Sequence, residues 1–100
     1  ANARFATAVA YELREERDQA LVEFYKAALA DWANEALVSD VARRLLAAKQ
    51  TDKAVEILAK CARRDDTSAP LLTLLSFAHR EAGDNAKAIA VVKRDKEVDA

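Results

Sequence analysis

The residues with the greatest chemical reactivity in this sequence occur singly. His79 is the only histidine and Cys61 the only cysteine among the 100 residues. The spacing places no serine, thiol or carboxylate where His79 could act as its base. One cysteine cannot form an internal disulfide, and no cluster of cysteine and histidine has the spacing of a metal site. We therefore expect both to be structural residues, in a protein that is not an enzyme and that uses no metal or cofactor.

The charge balance and the apolar pattern disfavour nucleic-acid and membrane partners. The chain has 16 Lys and Arg against 17 Asp and Glu, with no one-sided run of charge, so a nucleic-acid partner is not expected. No apolar run approaches the roughly 18 residues of a membrane span, so no membrane partner is expected either. No signal-peptide pattern opens the chain, and a single cysteine favours a reducing, cytoplasmic compartment. The first three residues lack Met, as expected of a processed protein or of a piece of a longer one.

A repeat of 34 residues organises the chain. Ala20, Ala54 and Ala88 lie 34 residues apart, each followed by an aliphatic residue. Bulky apolar residues occupy the fourth position after each alanine, at Phe24, Leu58 and Val92. Small residues let two helices approach closely, and a bulky neighbour fills the space beside them. A period of this length predicts stacked helical hairpins.

The apolar periodicity predicts six helices and no strand. Their expected bounds are about 1–14, 18–31, 35–49, 52–64, 69–82 and 85–98. Asp18, Asn34 and Ser68 are expected to cap the second, third and fifth helices. Gly83 and Asp84 form a stop-and-cap signal before the sixth. Trp32 lies in a connector, where it either packs over the third helix or contacts a partner.

Residues at fixed places in the three units resemble the tetratricopeptide repeat. They are Ala8, Tyr11, Ala20, Phe24 and Ala27 in the first unit, Val41, Ala42, Leu45 and Ala54 in the second, and Leu72, Leu75, Ser76, Gly83 and Ala88 in the third. The resemblance implies a single all-α domain with units at 1–34, 35–68 and 69–100. It also implies hairpins stacked into a right-handed superhelix, in which the first helix of each hairpin lines a concave groove that binds another protein.

One face of these first helices is not needed for packing within the hairpins, because residues one turn apart share a face. It is the candidate groove, lined by Phe5, Val9, Glu12, Ser39, Arg43, Leu46, Thr73, Phe77 and Arg80. Phe77 would anchor an apolar residue of the partner segment, while Arg43 and Arg80 would hold its carboxylates. In the alternative interpretation Arg43 pairs with Glu12, and the apolar residues of this face only cover small gaps.

Three functions stay open at this point. The first is a non-catalytic protein–protein interaction module that binds a peptide or helical segment of a partner in the groove. The second is a structural array fragment or an engineered repeat, which associates with itself through the array ends, where Ile89, Val91 and Val92 lack a following helix. The third is an RNA-binding helical repeat, which the neutral charge balance disfavours.

Overall fold

A computed structural model describes residues 3–99, with side chains described over residues 3–94. This part of the chain contains six α-helices and no strand. They are α1 (Ala3–Leu13), α2 (Arg17–Ala30), α3 (Glu35–Ala47), α4 (Thr51–Cys61), α5 (Ala69–Glu81) and α6 (Asn85–Asp99). The predicted all-α fold and the number of helices are confirmed. Residues 1 and 2, which the prediction assigned to the first helix, lie outside the described residues.

The helices pair as three antiparallel hairpins, α1 with α2, α3 with α4 and α5 with α6. Consecutive hairpins stack through the packing of α2 on α3 and of α4 on α5. Short turns between helices favour this antiparallel pairing of neighbours. The molecule is therefore an α-solenoid of stacked hairpins, which confirms the predicted fold class.

The turns inside the three hairpins share one geometry and lie 34 residues apart. Glu15, Lys49 and Gly83 have φ values of 62°, 65° and 83°. After each of them, an N–H group donates to the carbonyl five residues earlier, over 2.9, 2.8 and 2.9 Å: Glu16 to Tyr11, Gln50 to Leu45, and Asp84 to His79. This 6→1 bond with a left-handed residue is the Schellman ending of a helix. It explains why α3 ends at Ala47 and not at Lys49 as predicted.

Alanines and large apolar residues form one continuous core. The repeated Ala20, Ala54 and Ala88 are at most 3% exposed, and Phe24 is fully buried. The rest of the core comes from all three hairpins: Ala8, Val38, Val41, Leu45, Ile57, Leu58, Leu71, Leu72, Leu75 and Ala78. The predicted 34-residue frame thus corresponds to the buried positions of the array.

The helix starts confirm part of the capping prediction and correct the rest. Asn34 caps α3 as predicted, because its Oδ1 accepts the N–H of Leu37 at 3.2 Å. Asp84 does the same for α6, with the N–H of Lys87 at 3.1 Å. The prediction for Asp18 was wrong, because α2 begins earlier and its N-cap residue is Glu16.

Ser68 occupies the N-cap position of α5 but makes no capping bond with its own side chain. Its hydroxyl instead donates to the carboxylate of Glu35, and its backbone N–H donates to the same carboxylate over 3.1 Å. The acceptor at the start of α5 is therefore supplied by the start of α3.

α4 ends at Cys61, three residues before its predicted end at Arg64. The carbonyls of Ala62 and Arg64 accept hydrogen bonds from the guanidinium of Arg94 on α6, the latter over 2.7 Å. Arg94 therefore closes the connector between the second and third hairpins.

Candidate functional site

The predicted groove residues divide evenly among α1, α3 and α5, the first helices of the three hairpins. Glu12, Arg43, Thr73, Phe77 and Arg80 are exposed. The other four are half-buried: Phe5, Val9, Ser39 and Leu46. The face is therefore more open on α5 than on α1.

The apolar groove residues of α1 and α3 also take part in packing. The ring of Phe5 meets the ring of Phe24 edge to face, with centroids 5.4 Å apart and an interplanar angle of 68°. Val9 and Leu46 lie against the buried core. Substitutions at these three positions would therefore change stability as well as the groove surface.

The alternative interpretation, in which Arg43 pairs with Glu12, was wrong. Glu12 pairs with Arg44 instead. The Nη1 group of Arg44 donates to the Glu12 carboxylate, and its Nε lies 3.5 Å from Oδ1 of Asp40. Consecutive residues of an α-helix point about 100° apart, so one position decides which arginine reaches α1. Among the side chains described between residues 3 and 94, Arg43 and Arg80 have no ion-pair partner.

On the third hairpin, the predicted residues line an open cleft with residues of α6. This terminal cleft encloses about 880 Å³. We define it by six residues, Thr73, Phe77 and Arg80 of α5 with Ile89, Val92 and Lys93 of α6. Phe77, Ile89 and Val92 are 41%, 57% and 43% exposed. The groove prediction included the three α5 residues and missed the three on α6, although apolar residues at Ile89 and Val92 were visible in the sequence.

A second open cleft of about 1040 Å³ lies at the other end of the array, between α1 and α3. It is lined by Arg4 and Phe5 on one side and by Asp31 and Asp40 on the other, with several alanines between them. Phe5 therefore lies in a different cleft from Phe77, and the two clefts share no lining residue.

The singly occurring reactive residues lie inside the protein. His79 is 8% exposed, and burial lowers its pKa below the ordinary value, with Asp84 opposing the shift and Lys87 adding to it. Cys61 is fully buried, and burial raises the pKa of its thiol, which keeps it protonated at neutral pH. No group of His, Cys, Asp and Glu among the described residues could hold a metal ion.

Trp32 remains 37% exposed in its connector.

Stacked antiparallel hairpins whose first helices carry a partly open face define a helical repeat protein of the solenoid type. The model of one such family, the tetratricopeptide repeat, matches residues 45–100. The match covers more than half of the chain, and the protein belongs to the tetratricopeptide repeat family. Repeats of this family are typically non-catalytic scaffolds for protein–protein interaction.

Two further findings bear on possible partners. No curated protein matches the chain. Within the described residues, none of the helices has the length and apolar character needed to cross a lipid bilayer. The unit limits at 1–34, 35–68 and 69–100 stay a prediction, because the family match begins at residue 45.

Proposed function

We propose that this protein is a non-catalytic module that binds a short segment of a partner protein along the face formed by α1, α3 and α5. The observation that carries the proposal is the exposure of Phe77, 41% of whose surface is open to solvent, beside Arg80. An exposed aromatic side chain with an arginine next to it is the composition in which binding energy concentrates at protein interfaces.

The charges favour a partner segment that carries carboxylates. Arg43 and Arg80 lie on α3 and α5, which pack against each other, and helices in contact have axes about 8–10 Å apart. Neither guanidinium is neutralised by a carboxylate among the side chains described over residues 3–94. Each offers a planar fork that matches a carboxylate. A segment with one apolar residue and neighbouring Asp or Glu would place the apolar residue on Phe77 and its carboxylates on the arginines.

The test uses a short fluorescent peptide with a central Leu flanked by Asp and Glu, and a control peptide in which Lys replaces every acidic residue. Fluorescence anisotropy with the full chain should show binding of the acidic peptide alone. Arg43→Ala and Phe77→Ala should each weaken binding by at least about fivefold. Arg63→Ala should have no effect, because Arg63 is exposed in a connector.

Two outcomes would contradict the groove assignment. If the Arg43→Ala/Phe77→Ala double variant loses its helical circular dichroism signal, Phe77 is a packing residue and the face is wrongly assigned. If the double variant stays folded and binds as well as the parent, binding lies elsewhere, with Trp32 as the next candidate.

A further inference from the structure

The terminal cleft repeats a surface that the first two hairpins bury against the next hairpin. Phe24 and Leu58 occupy one repeated position on α2 and α4 and are fully buried, whereas Val92 at the same position on α6 is 43% exposed. Leu21 and Val55 are half-buried, whereas the equivalent Ile89 is 57% exposed. The terminal cleft is therefore a third copy of the surface that forms the two internal interfaces, and none of the helices described over residues 3–99 covers it.

In both internal interfaces the covering helix is the first helix of the next hairpin. α3 lies against α2, and α5 lies against α4. These covering helices have buried or half-buried residues at i, i+4 and i+7, namely Leu37, Val41 and Arg44 on α3, and Leu71, Leu75 and Ala78 on α5. Large aliphatic residues at i and i+4 are common to both, so a helix that covers the terminal cleft should carry them too.

A second copy of this chain does not offer such a helix from its first hairpin. The equivalent positions on α1 are Ala3, Thr7 and Ala10, all exposed and small, and the Thr7 hydroxyl donates to its own helix at the Ala3 carbonyl. Two copies joined through their terminal clefts would instead bring Arg80 and Lys93 of one copy towards the same cations of the other, which is repulsive. Neither arrangement reproduces the internal interfaces.

The position of Arg80 indicates which charge the covering helix should carry. Arg80 is 68 residues after Glu12 and occupies the same repeated position. In the first interface Glu12 accepts from Arg44, the i+7 residue of the covering helix. In the second interface both equivalent positions are apolar, Leu46 and Ala78. At the terminal cleft this position is occupied by the basic Arg80, where the first interface has the acidic Glu12. An acidic residue at i+7 of the covering helix would therefore meet Arg80.

We propose that the terminal cleft binds an amphipathic α-helix of a partner protein, with Leu, Ile or Val at i and i+4 and Asp or Glu at i+7, in the orientation that α3 adopts on the first hairpin. This site differs from the peptide groove proposed above, because its energy comes from Ile89 and Val92 on α6. It shares Phe77 and Arg80 with that groove and excludes Arg43.

The probe is a stapled synthetic peptide with the sequence of α3, Glu35–Ala47, in which Arg44→Glu supplies the acidic i+7 residue. Stapling is needed because isolated helices of this length are marginal in water. The control is the same stapled peptide with Arg44 retained. We expect the acidic peptide to bind the full chain about fivefold more tightly than the control, as one ion pair allows. In the Arg80→Glu variant the preference should reverse.

Substitutions at two valines with equally exposed side chains test the apolar part of the site. Val92→Ser should weaken binding of the acidic peptide about tenfold, as expected for an apolar contact at the centre of an interface. Val22→Ser, at a residue that is also 43% exposed, should leave it unchanged. Arg43→Ala should leave helix binding unchanged while it weakens the groove peptide, so that the two proposals fail independently.

Three results would overturn the proposal. The first is equal binding of both peptides by the parent and by Arg80→Glu. The second is binding that survives Val92→Ser. The third is a parent chain that sediments as a dimer, with Val92→Ser restoring the monomer, because the occupant would then be a second copy.

Discussion

The guanidinium carbon of Arg44 on α3 lies 4.3 Å from the centroid of the Phe24 ring on α2, while the same guanidinium donates to the carboxylate of Glu12 on α1. One side chain of the second hairpin thus contacts both helices of the first. The contact over the ring and the ion pair are separate contributions, and they respond differently to substitution and to salt.

We expect Arg44→Ala to lower the free energy of unfolding by about 1–2 kcal/mol, since it loses the cation–π contact with Phe24 and the ion pairs with Glu12 and Asp40. Glu12→Ala should cost no more than about 1 kcal/mol, because it removes only the ion pair between Glu12 and Arg44. High salt should reduce the difference between Glu12→Ala and the parent. Urea denaturation of the parent and of both variants, at low and at high salt, measures these changes. The exposed Arg43→Ala is the matched control. Equal effects of Arg44→Ala and Glu12→Ala would mean that the Phe24 contact contributes nothing.

Phe24 is expected to dominate the core of the first hairpin. Its side chain is fully buried and contacts Phe5 and Arg44. Phe24→Ala should therefore cost about 3–5 kcal/mol, a large share of the stability of a domain this small. Val22→Ala on the same helix, where the side chain is 43% exposed, should change the midpoint of urea denaturation little. A Phe24→Ala variant as stable as the parent would refute the assignment of this residue to the core.

The three left-handed turn residues allow a paired test at equivalent positions. Gly83 has a φ of 83°, and a Cβ atom placed there would meet nothing within 4 Å. Gly83→Ala should therefore cost about 1–2 kcal/mol for the backbone conformation alone. Lys49 has a φ of 65° without being glycine, so Lys49→Gly should raise stability, or at least not lower it. Thermal unfolding followed by circular dichroism measures both, and shifts of the same sign would contradict the shared geometry.

Local signals in the sequence were sufficient for the helices and for two of the caps. The 34-residue spacing identified the buried alanines Ala20, Ala54 and Ala88 because burial in this array follows the repeat. The sequence predicted Asn34 as the N-cap of α3 because its bond to Leu37 lies within one helical turn. The capping prediction for Ser68 was wrong because the Glu35 carboxylate, 33 residues away, takes its hydroxyl. Capping rules consider only residues within about one helical turn, so they do not predict a contact between residues this far apart in the sequence.

The candidate groove was less accessible to sequence reasoning. Each helix turns about 100° per residue, and the alternative interpretation, which paired Arg43 with Glu12, was wrong by one position, because Arg44 is the partner. The face assignment separates residues on one helix, but it does not say which residues of the second helix lie beside them. For this reason Thr73, Phe77 and Arg80 were named without the α6 residues that complete the terminal cleft.

His79 should make the stability of the protein depend on pH. Burial lowers its pKa below the ordinary 6.5, so the folded protein binds this proton less readily than the unfolded chain does. The unfolded state then takes up the proton first as the pH falls through about 6.5, and the free energy of unfolding falls with it, by at most about 1.4 kcal/mol per pH unit. Urea denaturation at pH 7.5 and pH 5.5 measures the change. His79→Leu, with the residue found at the equivalent Leu45, should reduce the difference between the two values.

The way the helices contact one another has a consequence for folding kinetics. Over residues 3–99, every helix packs only against helices one or two places away along the chain. Because native contacts are then short in sequence separation, little loop entropy is lost before they form. Proteins with such contacts fold within microseconds to milliseconds, and in stacked arrays any hairpin can start the process. Folding of this chain should therefore be fast and able to begin at any of its three hairpins.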